Sequence, residues 1–461
     1  MSRSRRTSLL AFGASAALGA CALAPEPAQK QTQAEAIPNV AVPDRWQAGD
    51  PSSESVEHGW LSQFSDQQLE RLIDEALLYN ADLRTALARV EKAAAQVRIA
   101  GGDVYPQVSF IGRGGTQGSS DSSGLEGAVL SATWELDVWG RVRYGVRGSR
   151  DQYAAAEADV RFATQSLVAL VAKSWFMLTS TTLEQKLALE MVQAAERLTT
   201  FAEDRRRVGV GSDLDVASAR LNLQTYRDTQ LQVDLSQEQA ARALELLLGR
   251  YPEAEISAPS QLPALRQQVP AGLPAELLER RPDVIAAERR VAAAFNRTQQ
   301  AKAARLPQIS LTGSGTDLSS DLFVLQNQDD VMWRAGGSIL APLFSGGALR
   351  GQVLVRTAEQ KEAVAAYAAT ALSAFSDVEN ALSSDRAMQA REAVLTAALD
   401  NAQIALRVAE TRFRVGSGDL RDIERQQLSY YSTRLNLLRV QSERRIQRVN
   451  LHLALGGDFV T

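Results

Sequence analysis

The feature of this sequence that most restricts its fold is a turn that occurs twice. Residues 205–216 read "RRRVGVGSDLDV", and residues 412–423, which lie 207 positions later, read "RFRVGSGDLRDI". The same offset aligns "SATWELDVWG", starting at Ser131, with "SILAPLFSGG", starting at Ser338. The matching segments keep the same order in both halves of the chain. Self-similarity of this kind predicts a structural duplication, in which each half folds on one plan.

The duplication divides the chain into ordered segments. The predicted domains are a lipoprotein signal peptide (1–20), an N-terminal tether (21–63), a first repeat (64–249), a linker (250–276), a second repeat (277–457) and a C-terminal tail (458–461). Each repeat reads as one helix, two strands and two further helices, so the predicted fold class is α+β. The first helix is expected over about Asp66–Ala100, where good helix formers predominate.

The predicted strands alternate in polarity. Ala128–Val138 places Trp134 on an apolar face and Ser131 on a polar face. A strand of this kind fits either one half of a soluble sandwich or a lipid-facing barrel strand. Pro106–Thr116 and Ala128–Val138 are 11 residues each, and tilted membrane strands need about 9–11 residues. Three tryptophans in or beside the strands fit either an aromatic girdle or an ordinary core: Trp134, Trp139 and Trp333.

The helices that follow the strands are unusually long. Arg143–Arg205 and Ala348–Arg414 are proline-free stretches of 63 and 67 residues. At 1.5 Å per residue the shorter one spans about 95 Å. Apolar residues recur at the spacing of three and four that is typical of a coiled-coil seam, as at Leu187, Met191, Ala194 and Leu198. Long helices packed along narrow seams predict a rod or tube.

The repeated turn is predicted to join these long helices to the ones that return. Gly209 and Gly416 stand where a long helix ends, and glycine adopts the left-handed conformation there at little steric cost. Four polar residues are predicted helix caps in patterns close to a capping box: Ser212, Asp215, Asp419 and Asp422.

The number of strands bears on assembly. Four strands in one chain cannot span a bilayer alone, because open edges leave backbone groups unpaired in hydrocarbon. Two chains would supply eight strands, whose interior is filled by side chains, so a water-filled channel favours at least three copies.

The N-terminus has the pattern of a secretory signal. Three arginines precede an apolar stretch that ends in "LGAC" at Cys21. This ending is typical of a lipoprotein signal, in which Cys21 becomes the acylated first residue. The alternative is an incidental cysteine in an ordinary signal peptide.

Acylation of Cys21 would attach the chain to a membrane, because each buried methylene of an acyl chain contributes about 0.8 kcal/mol. Ala22, where an aspartate could stand, favours the outer membrane.

Composition excludes several classes of function. A net charge of −4 gives no electrostatic reason to expect nucleic acid as a partner. Two histidines and one cysteine leave little basis for a His/Cys metal site or a Cys–His nucleophile. The carboxylates scatter along predicted helices, as solvated faces do. We therefore predict no enzyme, no cofactor and no metal site.

Several motifs together carry a family resemblance. They are "FSDQQLERLIDEALLYNADLRTALARVEKA" from Phe64, "AGLPAELLERRPDVIAAERRV" from Ala271, the paired strand starts "PQVSF" and "PQISL", the stretch "ELDVWGRVR" and the two "RVGxG" turns. In this order and spacing, the sequence resembles the TolC-type outer-membrane factors, in the lipoprotein branch that serves resistance–nodulation–division (RND) efflux pumps.

The resemblance implies an assembly and its partners. The expected protein is a homotrimer with a single 12-stranded transmembrane β-barrel in the bacterial outer membrane, continued by a long coiled-coil α-helical tunnel in the periplasm. The implied partners are a periplasmic adaptor (membrane fusion protein), an inner-membrane RND-type transporter and outer-membrane lipids. The implied adaptor contacts at the turns are Val208, Gly209, Gly211, Val415, Gly416 and Gly418.

The gate of the channel is not assigned. Arg407 and Ile404 stand where some relatives carry acidic residues, so the gate stays unassigned, with Asp400 and the charges near Asp204–Arg207 as candidates. The function predicted first is a passive exit duct of a tripartite efflux pump, which conducts small molecules to the outside. The alternative is an acylated coiled-coil structural lipoprotein of the cell envelope, for which alternating strands would have no use.

Overall fold

The computed structural model describes residues 24–48, 56, 59–113, 125–265, 269–320 and 332–459. The signal peptide and Cys21 lie outside the described residues, as does the whole segment between the first two strands, residues 114–124.

Helices and one antiparallel sheet make up the fold, which confirms the α+β class. The first half contains α1 (Gln29–Ala36), a short 3-10 helix (Trp60–Phe64), α2 (Gln67–Tyr79), α3 (Ala81–Gly102), β1 (Gln107–Arg113), β2 (Leu125–Leu136), α4 (Arg141–Arg207) and α5 (Asp213–Leu247). The second half contains α6 (Pro274–Arg280), α7 (Pro282–Ala303), β3 (Gln308–Ser320), β4 (Met332–Leu340), α8 (Ala348–Arg414) and α9 (Leu420–Ala454).

The internal duplication is confirmed at the level of the elements. Helices α3 and α7 have 22 residues each. Helices α4 and α8 have 67 residues each, and α5 and α9 have 35 each. Glycines with positive φ follow α5 and α9 at equivalent places, Gly249 and Gly456.

One predicted helix is in fact two. The stretch expected as a single helix over Asp66–Ala100 breaks at Asn80, whose backbone is extended. The Asn80 side-chain oxygen accepts hydrogen bonds from the N–H groups of Asp82 and Leu83, both 3.0 Å, so it caps α3. Its Nδ2 donates to the carbonyl of Leu247 at the end of α5, 3.0 Å away. The prediction was wrong because this long-range contact is invisible in a run of good helix formers.

The second repeat breaks at the equivalent place. Arg281 is extended between α6 and α7, and its Nη1 lies 3.4 Å from the carbonyl of Ala454 in the last turn of α9. In each repeat, therefore, the residue at the break contacts the carboxyl end of the repeat's last helix.

The start of α4 also differs from the prediction. The helix begins at Arg141 rather than Arg143, and β2 ends at Leu136 rather than Val138. The Asp137 carboxylate accepts hydrogen bonds from the N–H groups of Val142 and Arg143, at 3.0 and 2.9 Å. This aspartate caps the helix and therefore leaves the strand.

The chain divides into two compact units. The first holds the described residues of 1–40, 88–159 and 283–370, and the second those of 41–87, 160–282 and 371–461. The sheet lies in the first unit, with strands in the order β1-β2-β3-β4 and every neighbouring pair antiparallel.

The main core of the second unit surrounds fully buried Trp175 and Phe176 of α4. The indole N–H of Trp175 donates to Asp66, 2.8 Å away, and the Phe176 ring lies 4.9 Å from that of Phe64. One 18-residue window of α4 is apolar enough for a membrane span by composition, with mean hydropathy 1.3. Because 61% of that window is buried inside the protein, core packing accounts for it.

Residues 24–40 are part of the first unit and residues 41–48 are part of the second, and specific hydrogen bonds hold each stretch within its unit. In the first unit, Asn296 Nδ2 donates to Glu26 and to Asp151, at 2.9 and 2.8 Å. In the second unit, the Trp46 indole N–H donates to the carbonyls of Ala271 and Gly272, at 3.2 and 3.1 Å. This part of the predicted tether is therefore held in place along the helices.

Candidate functional site

The first turn, residues 205–215, joins α4 to α5 through a Schellman motif. The N–H of Val210 donates to the carbonyl of Arg205 and the N–H of Gly209 to that of Arg206, both at 3.0 Å. The second turn, residues 412–422, joins α8 to α9 with the same pair of bonds. Gly209 and Gly416 have φ of +79° and +78°, which confirms the left-handed geometry expected of both.

The second glycine of each turn is required for a different reason. A Cβ atom placed on Gly211 would lie 2.9 Å from the backbone nitrogen of Arg206. One placed on Gly418 would lie 2.9 Å from the nitrogen of Phe413. The chain passes over the end of the helix at this point, so only glycine fits. Two glycines one residue apart are thus required separately, one by its φ and the other by close approach.

The caps of the two turns are not identical. The Ser212 hydroxyl accepts from the N–H of Asp215, and the Asp215 carboxylate accepts from the N–H of Ser212, both at 3.1 Å. This is a complete capping box.

The expected D-x-x-D capping box at the second turn is not what the structure contains. The Asp419 carboxylate accepts from the N–H of Arg421 at 3.2 Å and pairs with the guanidinium of the same residue at 2.6 Å. Asp422 instead forms an ion pair with Arg425. Arg421, two positions after the cap, binds the Asp419 carboxylate. This explains why the second turn lacks the capping box of the first.

Side chains bring the two turns together. Apolar residues from α4, α5, α8 and α9 form one cluster beneath them, which includes buried Ala202, Val216, Leu420 and Ile423. The rings of Phe201 and Phe413 meet edge to face at 5.5 Å. The Arg205 guanidinium lies over both rings, 5.9 and 5.2 Å from their centroids. The turns therefore form one surface.

The charged residues of the first turn are largely paired within it. Arg206 contacts Asp213 at 2.5 Å, and Arg207 contacts Asp204 at 2.6 Å. Asp204 and Arg207, both considered for the gate, are thus bound to each other.

One residue of this surface has no signal in the sequence: Glu424, in the second turn of α9. Its side chain is only 8% exposed, and its Oε1 has no hydrogen-bond partner in the described part of the chain. Burial, followed by the charges of Asp215 and Asp419, raises the pKa of Glu424 from 4.5 to about 7. No local pattern could reveal this, because the burial arises from packing between the turns.

The sheet places polar residues in rows across all four strands. One row joins Ser109, Ser131, Ser314 and Arg334. The hydroxyl oxygens of Ser109 and Ser131 lie 2.7 Å apart. The neighbouring row on one side, with Gln107, Thr133 and Thr312, is polar as well, whereas the row on the other side places Ile111, Val129 and Met332 beside Thr316. The part of this face formed by the two polar rows is therefore suited to water.

The opposite face of the sheet is apolar. One row joins Phe110, Leu130, Gly315 and Trp333. The Trp333 ring lies over Gly315, where an added Cβ would be 2.9 Å from a ring carbon. All three side chains of this row are exposed in the single chain.

The three tryptophans near the strands are exposed as well. Trp134 donates its indole N–H to the carbonyl of Val104 at 2.9 Å, and Trp139 donates to that of Pro307 at 2.8 Å. Trp333 is 75% exposed. The ordinary-core alternative for these residues is therefore wrong for the single chain.

Within the described residues, β1 and β4 each pair on one side only. The same residues contain no group of three or more His, Cys, Asp or Glu side chains able to hold a metal ion.

Comparison with known proteins identifies the family. The profile of the family described as "Outer membrane efflux protein" matches residues 72–250 and 273–457, one match in each repeat. The chain is 30% identical to the cation efflux system protein CusC of Escherichia coli K12, over 97% of this chain and 99% of CusC. It is 32% identical to the outer membrane protein OprJ of Pseudomonas aeruginosa, over 97% and 96%.

A solved structure supports the same conclusion. The outer-membrane channel OprN superposes with a TM-score of 0.83 at 28% identity, over 92% of this chain and 98% of OprN. The hairpin turns and the two-faced sheet are therefore parts of a bacterial outer-membrane efflux duct, and the chain belongs to the outer membrane efflux protein family.

Proposed function

We propose that three copies of this chain close one 12-stranded barrel in the outer membrane, through which small molecules leave passively. The observation that carries the proposal is the two-faced sheet. Its apolar rows are exposed, its polar rows continue across four strands, and its outer strands each lack one partner among the described residues. Lipid would cover the apolar face, and neighbouring copies would complete the edges.

The number of copies follows from the need for a wet interior. Four strands from each of two chains would give a barrel filled by its own side chains. Three chains give twelve strands and leave room for water. The duct itself performs no chemistry, so a partner must supply the energy.

We propose that this partner system is a periplasmic adaptor bound to an inner-membrane RND-type transporter. The hairpin turns are the proposed contacts, because they expose Val208 and Val415 beside backbone that only glycine allows. The six residues put forward are Val208, Gly209, Gly211, Val415, Gly416 and Gly418.

Acylation of Cys21 is proposed as a second attachment to the outer membrane, in addition to the barrel. The apolar stretch that ends in "LGAC" at Cys21 supports this. We expect Cys21→Ser to abolish labelling by radioactive palmitate while the barrel still inserts. Complete loss of the variant from outer-membrane fractions would show that the lipid is required for insertion.

Two measurements test the duct. The full-length protein, purified in detergent, should have the mass of three chains and should form conducting channels in planar bilayers. Deleting the gene should raise the accumulation of pump substrates, and the tagged protein should co-purify with an adaptor. A monomer without conductance, together with unchanged accumulation, would instead favour the acylated structural lipoprotein.

A further inference from the structure

The two turns of one chain differ in their exposed side chains, although their backbones match. In the first turn three aliphatic residues are largely exposed: Val208 at 72%, Val210 at 62% and Leu214 at 59%. They fall within seven residues of one another and surround the end of α4. The apolar cluster beneath the turns includes none of them.

The second turn keeps only one of these three. Val415 corresponds to Val208 and is 71% exposed. Ser417 stands in place of Val210, and its hydroxyl donates to the carbonyl of Arg412 at 3.2 Å. Arg421 stands in place of Leu214, and its guanidinium is bound to Asp419. The other aliphatic residue of this turn, Leu420, is shifted by one position and buried at 3% exposure.

Net charge does not distinguish the turns. Residues 205–215 and residues 412–422 each carry three arginines and two aspartates. In the first turn, Arg206 pairs with Asp213, and Arg207 pairs with Asp204, which immediately precedes the turn. A partner that contacts the first turn therefore meets exposed aliphatic side chains beside charges that are largely paired.

We infer that the first turn is the apolar docking surface for the adaptor, with Val210 and Leu214 as its specificity-determining residues, and that the second turn is a weaker, polar contact. The inference rests on the proposed function, in which the adaptor meets these turns. The exposed Val208, Val210 and Leu214 fit an adaptor whose contacting surface is itself aliphatic. Salt screens ion pairs but has little effect on the free energy gained by burying apolar surface. The affinity for the adaptor should therefore change little with salt concentration.

The duplication provides a matched pair of variants for the test. Val210→Ser with Leu214→Arg gives the first turn the residues of the second. Ser417→Val with Arg421→Leu makes the reciprocal change. All four positions are exposed, so neither exchange removes a core contact, and trimer mass and circular dichroism check folding. The probe is the adaptor that co-purifies with the wild-type protein, titrated onto detergent-solubilised full-length trimers.

We expect the change in the first turn to weaken adaptor binding by about 10- to 100-fold, as for the loss of two partly buried aliphatic side chains. The reciprocal change should leave binding unchanged or strengthen it. Wild-type affinity should vary less than about threefold between roughly 0.1 and 0.5 M NaCl.

The outcomes separate this inference from the proposed function. If wild-type trimers bind no adaptor at all, the proposed partnership fails. If they bind but both exchanges leave the affinity unaltered, or only the second-turn exchange weakens it, the difference between the turns is refuted. Pairing of two trimers through the first turn, seen as a doubled mass that the first exchange abolishes, would also overturn it, because the occupant would then be a second copy.

Discussion

At the residue scale, the glycines of the two turns show how a short pattern can fix geometry. The spacing of Gly416 and Gly418 was readable from the sequence, and so was the left-handed conformation of the first of them. The need for the second glycine was not, because it depends on how closely the chain approaches the nitrogen of Phe413. Local sequence patterns indicate backbone dihedral angles, whereas close approaches between atoms are seen only in the three-dimensional structure.

The first prediction concerns Gly416, which has open space around it but a φ of +78°. Gly416→Val places a β-branched residue in a region that such residues avoid, at a cost of about 1–3 kcal/mol. The turn should distort and efflux should fall, while trimers still assemble. Substrate accumulation in cells and the mass of the purified protein measure the two effects. Ser417→Ala, at an exposed neighbour, is the control, and full efflux by the valine variant would contradict the assigned role.

A second prediction follows from the buried carboxyl of Glu424. Its pKa is about 7 in the folded protein against 4.5 for the ordinary group, so the folded state binds the proton more tightly than the unfolded state. The contribution of Glu424 to stability is therefore greatest below about pH 4.5, and it declines as the pH rises towards 7. The negative charges of Asp215 and Asp419 favour the protonated form of Glu424, and the positive charge of Arg421 opposes it.

Glu424→Gln should remove this dependence and stabilise the turns at pH 8 by about 1–3 kcal/mol, because the neutral amide avoids the desolvation and repulsion that the ionised carboxylate meets at that pH. Hydrogen exchange of the amides in residues 412–426, followed from pH 5 to pH 8 with correction for intrinsic rates, measures it. Asp422→Asn, at an ion-paired neighbour, serves as the control. Protection that falls equally with pH in wild type and the Gln variant would assign the effect to another group.

At the scale of elements, the long helices were predictable and the short breaks were not. Apolar periodicity and terminal glycines are local signals, so the ends of α8 agree with the sequence interpretation and those of α4 agree within two residues. The break at Asn80 lies in a segment without proline or glycine. It forms because the side chain caps α3 and reaches the end of α5, and that contact spans 167 positions of sequence.

The third prediction tests that break. Asn80→Ala removes the cap of α3 and the bond to the Leu247 carbonyl, and should lower the free energy of unfolding by about 1–2 kcal/mol. Thermal unfolding of purified trimers, followed by circular dichroism, should show the loss. Thr85→Ala provides the comparison, since Thr85 is exposed and its hydroxyl bonds only within α3. Equal stability of the Asn80 variant and wild type would mean that the break depends on other contacts.

At the scale of the whole molecule, the sequence predicted two-faced strands and their approximate ends. It could not give the register that aligns serines with Arg334 across the sheet, because register depends on pairing between strands more than 170 positions apart. The position of Arg334 matters for function. If the polar rows line the interior of a closed barrel, its charge lies in the path of ions, whereas Trp333 next to it faces lipid.

The last prediction uses these two neighbours. Arg334→Glu changes the charge of each chain by two units, and three chains would bring about six negative units of change to one ring of the channel. The reversal potential under a KCl gradient should shift towards cation selectivity. Trp333→Phe, which alters the opposite face without changing charge, should leave the reversal potential as in wild type. An Arg334 variant with wild-type selectivity would place that residue outside the conduction path, and the polar face could then no longer be assigned to the interior.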